Sequence, residues 1–578
     1  MNMNHSLTSD QIIATVVSVS VCQAGYNSHG LKTAVAVVAG GALGDPCYRL
    51  LQANDRVPVY SGTMECFQPA GWTRGELYYK IDFSSYTASG SYIIRTNGVD
   101  SQPFTISENV WLEYTDEMVG YYRIQRCGVD TREALPETGF TNRPSPEALH
   151  GPCHTDDARV GSPTGPHADC TGGWHDAGDN NKYNSQFGWL AAAFVSTYYR
   201  HPGAAFDYDA NGVPDLLDEA RVAAEYLLKV QAASDHGGGI FDQVQNHTKS
   251  HAWIYPGSET DGVPGNEDDR VLEWREFKKY APFPYDTAMK AAAGLAAVAR
   301  AFAALDAAFS DRCRRGAVNA YNWALDNTVN TGGAYCTDVQ EYARLLAEVE
   351  LYLLTGEASH SGFVDAYIDS HTSISTRGTN YWGVEPLALA DYYDVAGPRQ
   401  EKIVAFLTEA VDQWIDGFAA PFGVSGEIIS SKFGINEPNM SKAADAYRLY
   451  EITGNIQARD AALRAMEWTF GVNPFDMSFV VGIGSKYPQY PHSRLDADAE
   501  TNPHSSIYLP GFMVCGPIAH DTLDAGSVCP WYVDRPLTED GLAQWRYNEH
   551  SVSIQFACLD LVIARAFGTE RGGNTPSV

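Results

Sequence analysis

Residues 172–179 read Gly172-Gly173-Trp174-His175-Asp176-Ala177-Gly178-Asp179 and place two carboxylates three positions apart, with only alanine and glycine between them. Residues three apart share one face in helical or turn geometry, so both carboxyl groups can reach one water molecule. One carboxylate can then remove a proton while the other orients the water, which is the base half of hydrolysis by two carboxylates. Polar turns and helix N-caps show the same spacing, so the rest of the chain decides its meaning.

The composition excludes several classes of protein. The chain has 578 residues, 44% hydrophobic and 12% aromatic, which is enough for two domains and a large core. Lys and Arg number 40 against 71 Asp and Glu, and the formal net charge of -31 repels nucleic acid and anionic membrane surfaces. A neutral or cationic substrate is easier to accommodate, although acidity also serves solubility alone.

The sequence carries no segment expected to span or cross a membrane. The longest apolar run, 12–22, has about eleven residues and is interrupted by Ser and Thr. Residues 1–11 contain no Lys or Arg, unlike the basic flank of an export signal. The 11 Cys are odd in number and scattered, which is untypical of a disulfide framework. We therefore expect a cytoplasmic protein, while its oligomeric state is open.

The pattern along the chain changes near residue 108. Before it, short runs of β-type residues such as 33–38 and 77–83 alternate with Gly, Asn, Pro and Asp turns. These runs predict a small antiparallel β-sandwich over 1–107. Beyond it, apolar residues recur at helical spacing between long loops rich in Gly, Trp, Tyr and His. We expect one all-helical domain over 108–578, with a cleft built from these loops.

Two further segments carry candidate binding and acid residues. His492 and Arg494 stand two apart in a proline-bounded loop, where extended backbone would point both side chains to one side to hold sugar hydroxyls or a carboxylate. A solvated surface loop fits this pattern equally. Glu549 begins a helix-like run after Trp545, and burial beside an aromatic ring would keep it protonated for use as an acid. The helix dipole would favour its charged form instead.

Together these segments resemble the glycoside hydrolase family 9 enzymes, best known as cellulases. The Gly-Gly-Trp-x-Asp-Ala-Gly-Asp element is complete at 172–179, and 22–26 echo the Val-Gln-x-Gly-Tyr opening of the family's immunoglobulin-like domain. The histidine signature matches at Ser478, Gly484, Lys486, Pro491, His492 and Arg494. The acidic signature matches at Asp540, Trp545, Glu549 and Ser551. Thr538 and Gln555-Phe556 depart from it, where the family prefers an aromatic, an Asn and a small residue.

The resemblance implies a mainly α protein, an (α/α)6 barrel catalytic domain preceded by a small immunoglobulin-like β-sandwich. It also implies inverting hydrolysis of β-1,4-glycosidic bonds, with Asp179 as general base, Asp176 holding the attacking water and Glu549 as general acid. Inversion needs room for that water, so the acid and base carboxyl groups should lie roughly 6.5 to 9.5 Å apart. The residues expected to bind sugar are His492, Arg494, Trp174 and Tyr547.

A first candidate metal site is built from Cys127, Cys153, His154 and His175, a Cys2His2 set that suits tetrahedral zinc although its spacing is not that of a zinc finger. Free thiols and unrelated histidines are the alternative. The resemblance implies that zinc on such residues occurs in family members with the immunoglobulin-like domain. Because His175 precedes Asp176, we expect a closed, structural zinc site that fixes the catalytic loop.

A second candidate metal site lies in 207–218. Its predicted calcium ligands are Asp207, Asp209, Asn211, the backbone carbonyl of Val213, and Asp218. Oxygen ligands at positions 1, 3, 5 and 12 with glycine at position 6 follow the logic of a calcium loop. Asp218 stands where such loops carry a bidentate Glu, and an N-capping loop before a helix is the alternative.

The substrate expected from the sequence is a short oligosaccharide. A cytoplasmic enzyme would meet imported fragments, and in lacking an export signal the chain resembles the family's bacterial exo-β-D-glucosaminidases. These release glucosamine from non-reducing ends of chitosan oligosaccharides, and Asp156 and Asp157 are candidates to bind the amine. Two alternatives stay open: an endo-β-1,4-glucanase or exo-glucosidase acting on cellulose or cello-oligosaccharides, and a non-catalytic oligosaccharide-binding protein.

Overall fold

The structure is a computed structural model. It describes residues 14–67, 76–160, 162, 164–234, 237–246, 256, 275–277, 284–328, 340–374, 384–418, 422–424, 434–496, 507–517 and 548–568. Asp540, Trp545 and the predicted sugar-binding Tyr547 lie outside these residues.

Two packed sheets form the N-terminal part of the described chain. Their strands are β1 (Thr15–Ser20), β2 (Tyr26–Asn27), β3 (Thr33–Ala39), β4 (Cys47–Gln52), β5 (Pro58–Thr63), β6 (Glu65–Phe67), β7 (Leu77–Asp82), β8 (Gly90–Thr96), β9 (Val99–Asp100) and β10 (Phe104–Ser107). One sheet has the order β1-β3-β7-β6 and the other β2-β10-β8-β4-β5, with β9 on β8. Neighbouring strands are antiparallel except β2 and β10. This is the expected immunoglobulin-like β-sandwich.

Helices dominate the chain after Val110. They are α1 (Thr115–Gln125), α2 (Thr131–Ala134), α3 (Asn184–Arg200), α4 (Asp215–Ser234), α5 (Tyr285–Phe302), α6 (Ala307–Asp326), α7 (Gln340–Thr355), α8 (Ala358–Ser370), α9 (Val384–Tyr392), α10 (Gln400–Phe418), α11 (Asn436–Thr453), α12 (Ile456–Thr469) and α13 (Val552–Phe567). A small sheet of β11 (Lys182–Tyr183), β12 (Gln243–Asn246) and β13 (Arg275–Phe277) lies between them. None of the described helices is long and apolar enough to cross a membrane.

Six of these helices close a ring. Contacts run from α3 to α5, α7, α9, α11 and α13 and return to α3, while α1, α4, α6, α8, α10 and α12 pack outside them. The inner helices are rich in small residues, and α5 buries Ala288, Ala292 and Gly294, so neighbouring helices approach closely. This is the expected (α/α)6 barrel. Because inner and outer helices alternate along the chain, the inner helices run in one direction and their N-termini share one end.

The sandwich is joined to the barrel by hydrogen bonds from buried polar groups. The side-chain oxygen of Gln23 accepts hydrogen bonds from the backbone N–H groups of Ser485 and Lys486, both at 3.0 Å. The backbone N–H of Thr33 donates to the carboxylate of Glu467 on α12 at 3.2 Å. The Gln23 contact fixes the start of the loop that continues to His492 and Arg494.

Candidate active site

The loop that carries Asp176 and Asp179 is fixed on both sides by backbone hydrogen bonds. On one side, the N–H of His175 donates to the carbonyl of Gln125 at 2.8 Å, and the Gln125 side chain donates to the carbonyl of Ala177 at 3.0 Å. On the other side, the N–H of Val552 donates to the carbonyl of Asp176 at 2.7 Å. The loop therefore joins the end of α1 to the beginning of α13.

The same loop meets Glu549 at Gly178. A Cβ atom on residue 178 would lie 3.0 Å from Oε1 of Glu549 and 2.2 Å from the carbonyl oxygen of His492. Only glycine lets the backbone before Asp179 pass this close to both residues. The structure thus brings Asp176, Asp179 and Glu549 into one site at the N-terminal end of the inner helices.

Asp179 is held by Asn181. The backbone N–H of Asn181 donates to Oδ1 of Asp179 at 3.0 Å, and its side-chain amide donates to Oδ2 at 2.8 Å. Two donors on one carboxyl group favour its charged form, which is the form that a general base needs. Both oxygens are positioned by a residue that the sequence analysis missed.

Glu549 is in an environment that keeps it protonated. Burial, and next the charge of Asp179, raise the pKa of Glu549 to about 8, although the guanidinium of Arg494 opposes this. The pKa of Asp176 is also raised well above its usual value, by burial and by the neighbouring charges of Asp179, Glu549 and Glu437. Four carboxyl groups therefore share this site, and Glu437, in the first turn of α11, is the member that no sequence motif marked.

His492 and Arg494 lie beside Glu549. Nε2 of His492 is 3.7 Å from Oε1 of Glu549, and the backbone N–H of His492 donates to the carbonyl of Asn548 at 3.0 Å. The N–H of Arg494 donates to the carbonyl of Gly178 at 2.9 Å. The loop that carries both side chains is thus part of the site and not a free surface loop.

Trp174 is a core residue, so its predicted contact with sugar is wrong. Its ring is fully buried and stacks on Phe187 with ring centroids 5.3 Å apart. Its indole N–H donates to the carboxylate of Glu219 on α4 at 2.9 Å. Trp174 therefore fixes the loop of Asp176 and Asp179 to the core.

Asp157 is also unsuited to its predicted role in binding an amine. Its carboxylate is fully buried, and Nζ of the equally buried Lys182 lies 2.7 Å from Oδ2. A buried carboxylate paired with an internal ammonium group cannot exchange it for a substrate amine without exposing an unpaired charge. Asp156 is half-buried, and its role stays a prediction.

The four predicted zinc ligands form one buried cluster. Their ligand atoms all lie within 4.8 Å of one another. Sγ of Cys127 and Sγ of Cys153 are 4.0 Å apart, and Nδ1 of His154 and Nε2 of His175 are 3.3 Å apart. Each of two S–N pairs, Cys127–His154 and Cys153–His175, is 3.7 Å apart.

These separations fit a tetrahedral zinc ion. Bonds of about 2.3 Å to sulfur and about 2.05 Å to nitrogen place ligand atoms about 3.8 Å (S–S), 3.6 Å (S–N) and 3.3 Å (N–N) apart at tetrahedral angles. His154 has a φ of 49°, in the left-handed region that costs a non-glycine residue energy unless its surroundings hold it there. The donor set and its spacing therefore suit zinc.

A buried arginine pairs with the predicted calcium loop, in which only Asp207 and Asp209 of the predicted ligands gather, together with Asp215, within reach of one ion. The guanidinium of Arg123, fully buried on α1, forms close ion pairs with Asp209 and Asp215 and lies 3.6 Å from Oδ2 of Asp218. The side-chain amide of Asn211 donates to Asp218, so two of the predicted ligands are bonded to each other. Arg123 supplies the positive charge that calcium was expected to supply.

The arrangement of oxygens also differs from the predicted one. The carboxylate oxygens that gather within reach of one ion belong to Asp207, Asp209 and Asp215, and Asp218 is not among them. Asp207 accepts hydrogen bonds from the N–H groups of Asn211 and Gly212, at 3.0 and 2.8 Å, and the side-chain oxygen of Asn211 accepts from Val213 at 2.8 Å. The segment is an Asx-type turn before α4.

The model of glycosyl hydrolase family 9 matches residues 112–557, and the model of the cellulase N-terminal Ig-like domain matches residues 14–101. The chain belongs to glycosyl hydrolase family 9. It is a glycoside hydrolase of the inverting, β-1,4-cleaving type that this family comprises, with the N-terminal domain of its cellulases.

The relatives are glucan-hydrolysing enzymes by name. Endoglucanase D of Acetivibrio thermocellus is 25% identical over 467 residues, which cover 76% of this chain and 69% of the relative. A cellodextrinase of Butyrivibrio fibrisolvens is 30% identical over 468 residues, covering 73% and 78%. Glucosaminidase is in neither name, so the exo-glucosaminidase expectation has no support from these relatives.

Solved structures share the fold. A metagenome-derived glycoside hydrolase family 9 endoglucanase superposes with a TM-score of 0.75 at 24% identity, covering 96% of this chain and 99% of the other. A Zn-binding triple mutant of the family 9 endoglucanase J30 gives 0.72 at 21% identity, covering 94% and 99%.

Proposed function

We propose that this protein hydrolyses β-1,4-glucosidic bonds of cellulose or cello-oligosaccharides, with Asp179 as general base and Glu549 as general acid. The observation that carries the proposal is the contact between Gly178 and Glu549, which brings acid and base to one site although 549 − 179 = 370 positions separate them. The names of the endoglucanase and cellodextrinase relatives support a glucan substrate in place of the chitosan expected from the sequence.

The acid step uses the proton that burial keeps on Glu549. With a pKa of about 8, Glu549 holds its proton at neutral pH and can transfer it to the glycosidic oxygen as the bond to C1 breaks. The imidazole of His492, 3.7 Å away, and the nearby guanidinium of Arg494 lie on the acid side of the cleft. They are positioned to donate hydrogen bonds to the sugar next to the cleaved bond.

The base step uses the carboxylate that Asn181 holds. Asp179 removes a proton from a water molecule that attacks C1 from the face opposite to the leaving oxygen, and the configuration at C1 is inverted. Asp176 lies three residues earlier on the same fixed loop, where it can accept or donate a hydrogen bond to that water. Because Asp176 and Asp179 lie on one loop, the distance between their carboxyl groups depends on the contacts of that loop with α1 and α13.

Zinc fits the proposal as a structural ion. Cys127 and Cys153 would bind it as thiolates and His154 and His175 through Nδ1 and Nε2, and the bound ion would link three separate loops. His175 adjoins Asp176, so the cluster holds the catalytic loop at its first carboxylate. We assign calcium no part, because Arg123 occupies its predicted place.

The domain boundary and the cellular location are also proposed here. We place the domain division between 107 and 108, since the last strand of the sandwich ends at Ser107 and helical structure starts at Val110. We keep the cytoplasm as the expected location, and fractionation of the native cells with an antibody against the chain tests it.

The test compares substrates and variants. Wild-type protein is incubated with cellotetraose, carboxymethylcellulose and the glucosamine dimer, in parallel with Glu549→Gln and with Glu113→Gln, a control at an exposed glutamate. We expect glucose or cellobiose release by the wild type and the control, and a loss of about 100-fold or more in Glu549→Gln. A fall in the viscosity of the carboxymethylcellulose solution indicates endo-action. Release of single sugars without a fall in viscosity indicates exo-action.

Three other results would each overturn one part of the proposal. Release of glucosamine that exceeds release of glucose overturns the proposed substrate and leaves the acid and base in place. Equal activity of wild type and Glu549→Gln overturns the assignment of the acid. Oligosaccharide binding without hydrolysis by the wild type returns the chain to the class of sugar-binding proteins.

A further inference from the structure

A second cavity lies at the opposite end of the barrel from Asp179 and Glu549. Its volume is about 510 Å³, and its walls come from the C-terminal ends of inner helices, among them Ser196 of α3, Arg300 of α5, Asp391 of α9 and Arg448 of α11. Twelve residues separate Ser196 from Asn184, the first residue of α3, so the cavity is about 18 Å further along the barrel axis than the catalytic end. It is therefore separate from the catalytic cleft.

The wall of the cavity is made of ion pairs. Arg200 donates to Glu451 at 2.7 Å and to Asp560 at 2.6 Å, and Arg448 donates to the other oxygen of Asp560 at 2.8 Å. Arg300 donates to Glu350 on α7 at 2.8 Å. These pairs hold three guanidinium groups flat and in fixed positions around the cavity.

The same groups keep unused hydrogen-bonding atoms. Within the described part of the chain, the buried Nε atoms of Arg200, Arg300 and Arg448 have no hydrogen-bond partner. Ser196 donates to Oδ1 of Asp391 at 2.6 Å, and the carboxyl group of Asp391 also shares a hydrogen bond with that of Glu350. Buried polar atoms of this kind destabilise the fold unless a water or a ligand satisfies them.

The mouth of the cavity is aromatic and apolar. The ring of Tyr199 is 44% exposed, and the guanidinium of Arg300 lies 4.6 Å from its centroid, which fixes the ring plane. Tyr393 and the exposed Val395 line the cavity beside it. A flat, fixed ring next to polar groups is a surface for a molecule with one apolar face and many hydroxyl groups.

The charges exclude other small ligands. The three arginines are surrounded by five carboxyl groups, Glu350, Asp391, Asp445, Glu451 and Asp560, which disfavours an anion such as phosphate. A metal cation is disfavoured because the carboxylates of Glu350, Glu451 and Asp560 are already paired with the guanidinium groups. A neutral ligand that both donates and accepts hydrogen bonds satisfies both conditions.

We propose that this cavity is a second sugar-binding site, which takes a hexose unit or the end of a short oligosaccharide against Tyr199, between Arg300 and Asp391. The volume suits a ligand of this size. Sugar bound here lies too far from Asp179 and Glu549 to be cleaved, so the site retains a substrate or product molecule on the enzyme. The choice of cellobiose as the probe rests on the proposed glucan substrate.

The experiment counts bound cellobiose by equilibrium dialysis of the full-length chain. Glu549→Gln is the background, so that the probe is not consumed. We expect two cellobiose molecules per chain in this background and one after Tyr199→Ala is added. Val318→Ala, an exposed residue on α6 away from the cavity, is the matched control and keeps two. A crystal soaked with cellobiose should show sugar in contact with Arg300 and Asp391.

One cellobiose per chain in the Glu549→Gln background overturns the second site, as does an unchanged count after Tyr199→Ala. Competition of the second molecule by inorganic phosphate or by Ca²⁺ overturns the sugar chemistry. Failure of the proposed function is a separate result, since it appears as absent hydrolysis by the wild type while two cellobiose molecules still bind to Glu549→Gln.

Discussion

Two acidic loops next to α1 differ in the groups that bind their carboxylates. In the loop that carries Asp176 and Asp179, the second carboxylate is held by the neutral backbone and side-chain N–H groups of Asn181. In 207–218 the carboxylates of Asp209 and Asp215 are paired with the buried guanidinium of Arg123. Neutral donors orient a carboxylate and leave its charge available for proton transfer, whereas a permanent cation converts it into part of the framework.

The largest difference between the loops should appear on removing one carboxylate from each. Asp179→Asn removes the base and should lower kcat about 100- to 10,000-fold on a cello-oligosaccharide. Asp209→Asn likewise replaces a carboxylate of the other loop by an amide, and it should leave kcat of the folded enzyme unchanged. Initial rates of both variants, normalised to folded protein, give the comparison, and equal losses of kcat contradict it.

Loss of zinc should affect the catalytic loop next most strongly. Cys153→Ser removes a thiolate that lies 3.7 Å from Nε2 of His175, so we expect loss of bound zinc and a fall in kcat of about 10- to 100-fold. Metal analysis of the purified chain should give one zinc per molecule. Cys558→Ser, at a buried cysteine of α13 outside the cluster, is the control. Full activity of a zinc-free protein would show that the cluster does not position Asp176.

Removing the cation of the other loop should destabilise the protein without removing activity. Arg123→Met leaves buried carboxylates without their partner, and we expect the free energy of unfolding to fall by about 3 to 5 kcal/mol. Arg132→Met breaks a pair with Asp130 whose arginine is 60% exposed, and should cost less than about 1 kcal/mol. Denaturant unfolding measures both. A small effect of Arg123→Met, or calcium-dependent stability of the wild type, contradicts the assigned role of Arg123.

A rise in pH should lower kcat at the catalytic site before it changes the stability of the ion-paired loop. The titratable and charged groups around Glu549 are Asp176, Asp179, Glu437, His492, Arg494, Cys515 and His550. Burial lowers the pKa of His550 to about 3. Glu549 must be protonated and Asp179 ionised, so kcat is expected to fall tenfold per pH unit above the Glu549 pKa of about 8, while the loss on the acid side follows protonation of Asp179. A pH–rate profile with parallel unfolding curves tests this. An activity that rises through pH 9 contradicts the role of Glu549.

The sequence predicted the parts of the fold that local patterns determine. The β-type runs at 33–38 and 77–83 appear as β3 and β7, and the apolar residues that recur at helical spacing beyond residue 108 lie on helices such as α4. The acidic motif at 172–179 and the loop of His492 were both recognised, because spacing within a motif survives in the fold.

What the sequence could not predict depends on contacts between distant segments. Trp174 stands inside the catalytic motif, yet its ring turns to Phe187 and Glu219. Arg123 lies more than eighty positions before the loop that it neutralises, and no spacing rule links them. Asp157 was predicted to bind a substrate amine, but Lys182 pairs with it in the core. The signal for Asn181 was present, since it stands two residues after Asp179 where its N–H can bond the carboxylate.

The central claim is that Asp179 directs water to C1 from the face opposite to Glu549. The most direct test is a proton NMR time course of wild-type protein with cellotetraose, read at the anomeric resonances of the first products. The account predicts that the new reducing ends appear first as the α-anomer and then mutarotate to the equilibrium mixture. Appearance of the β-anomer first would mean retention and would contradict the assignment of Asp179 as a base.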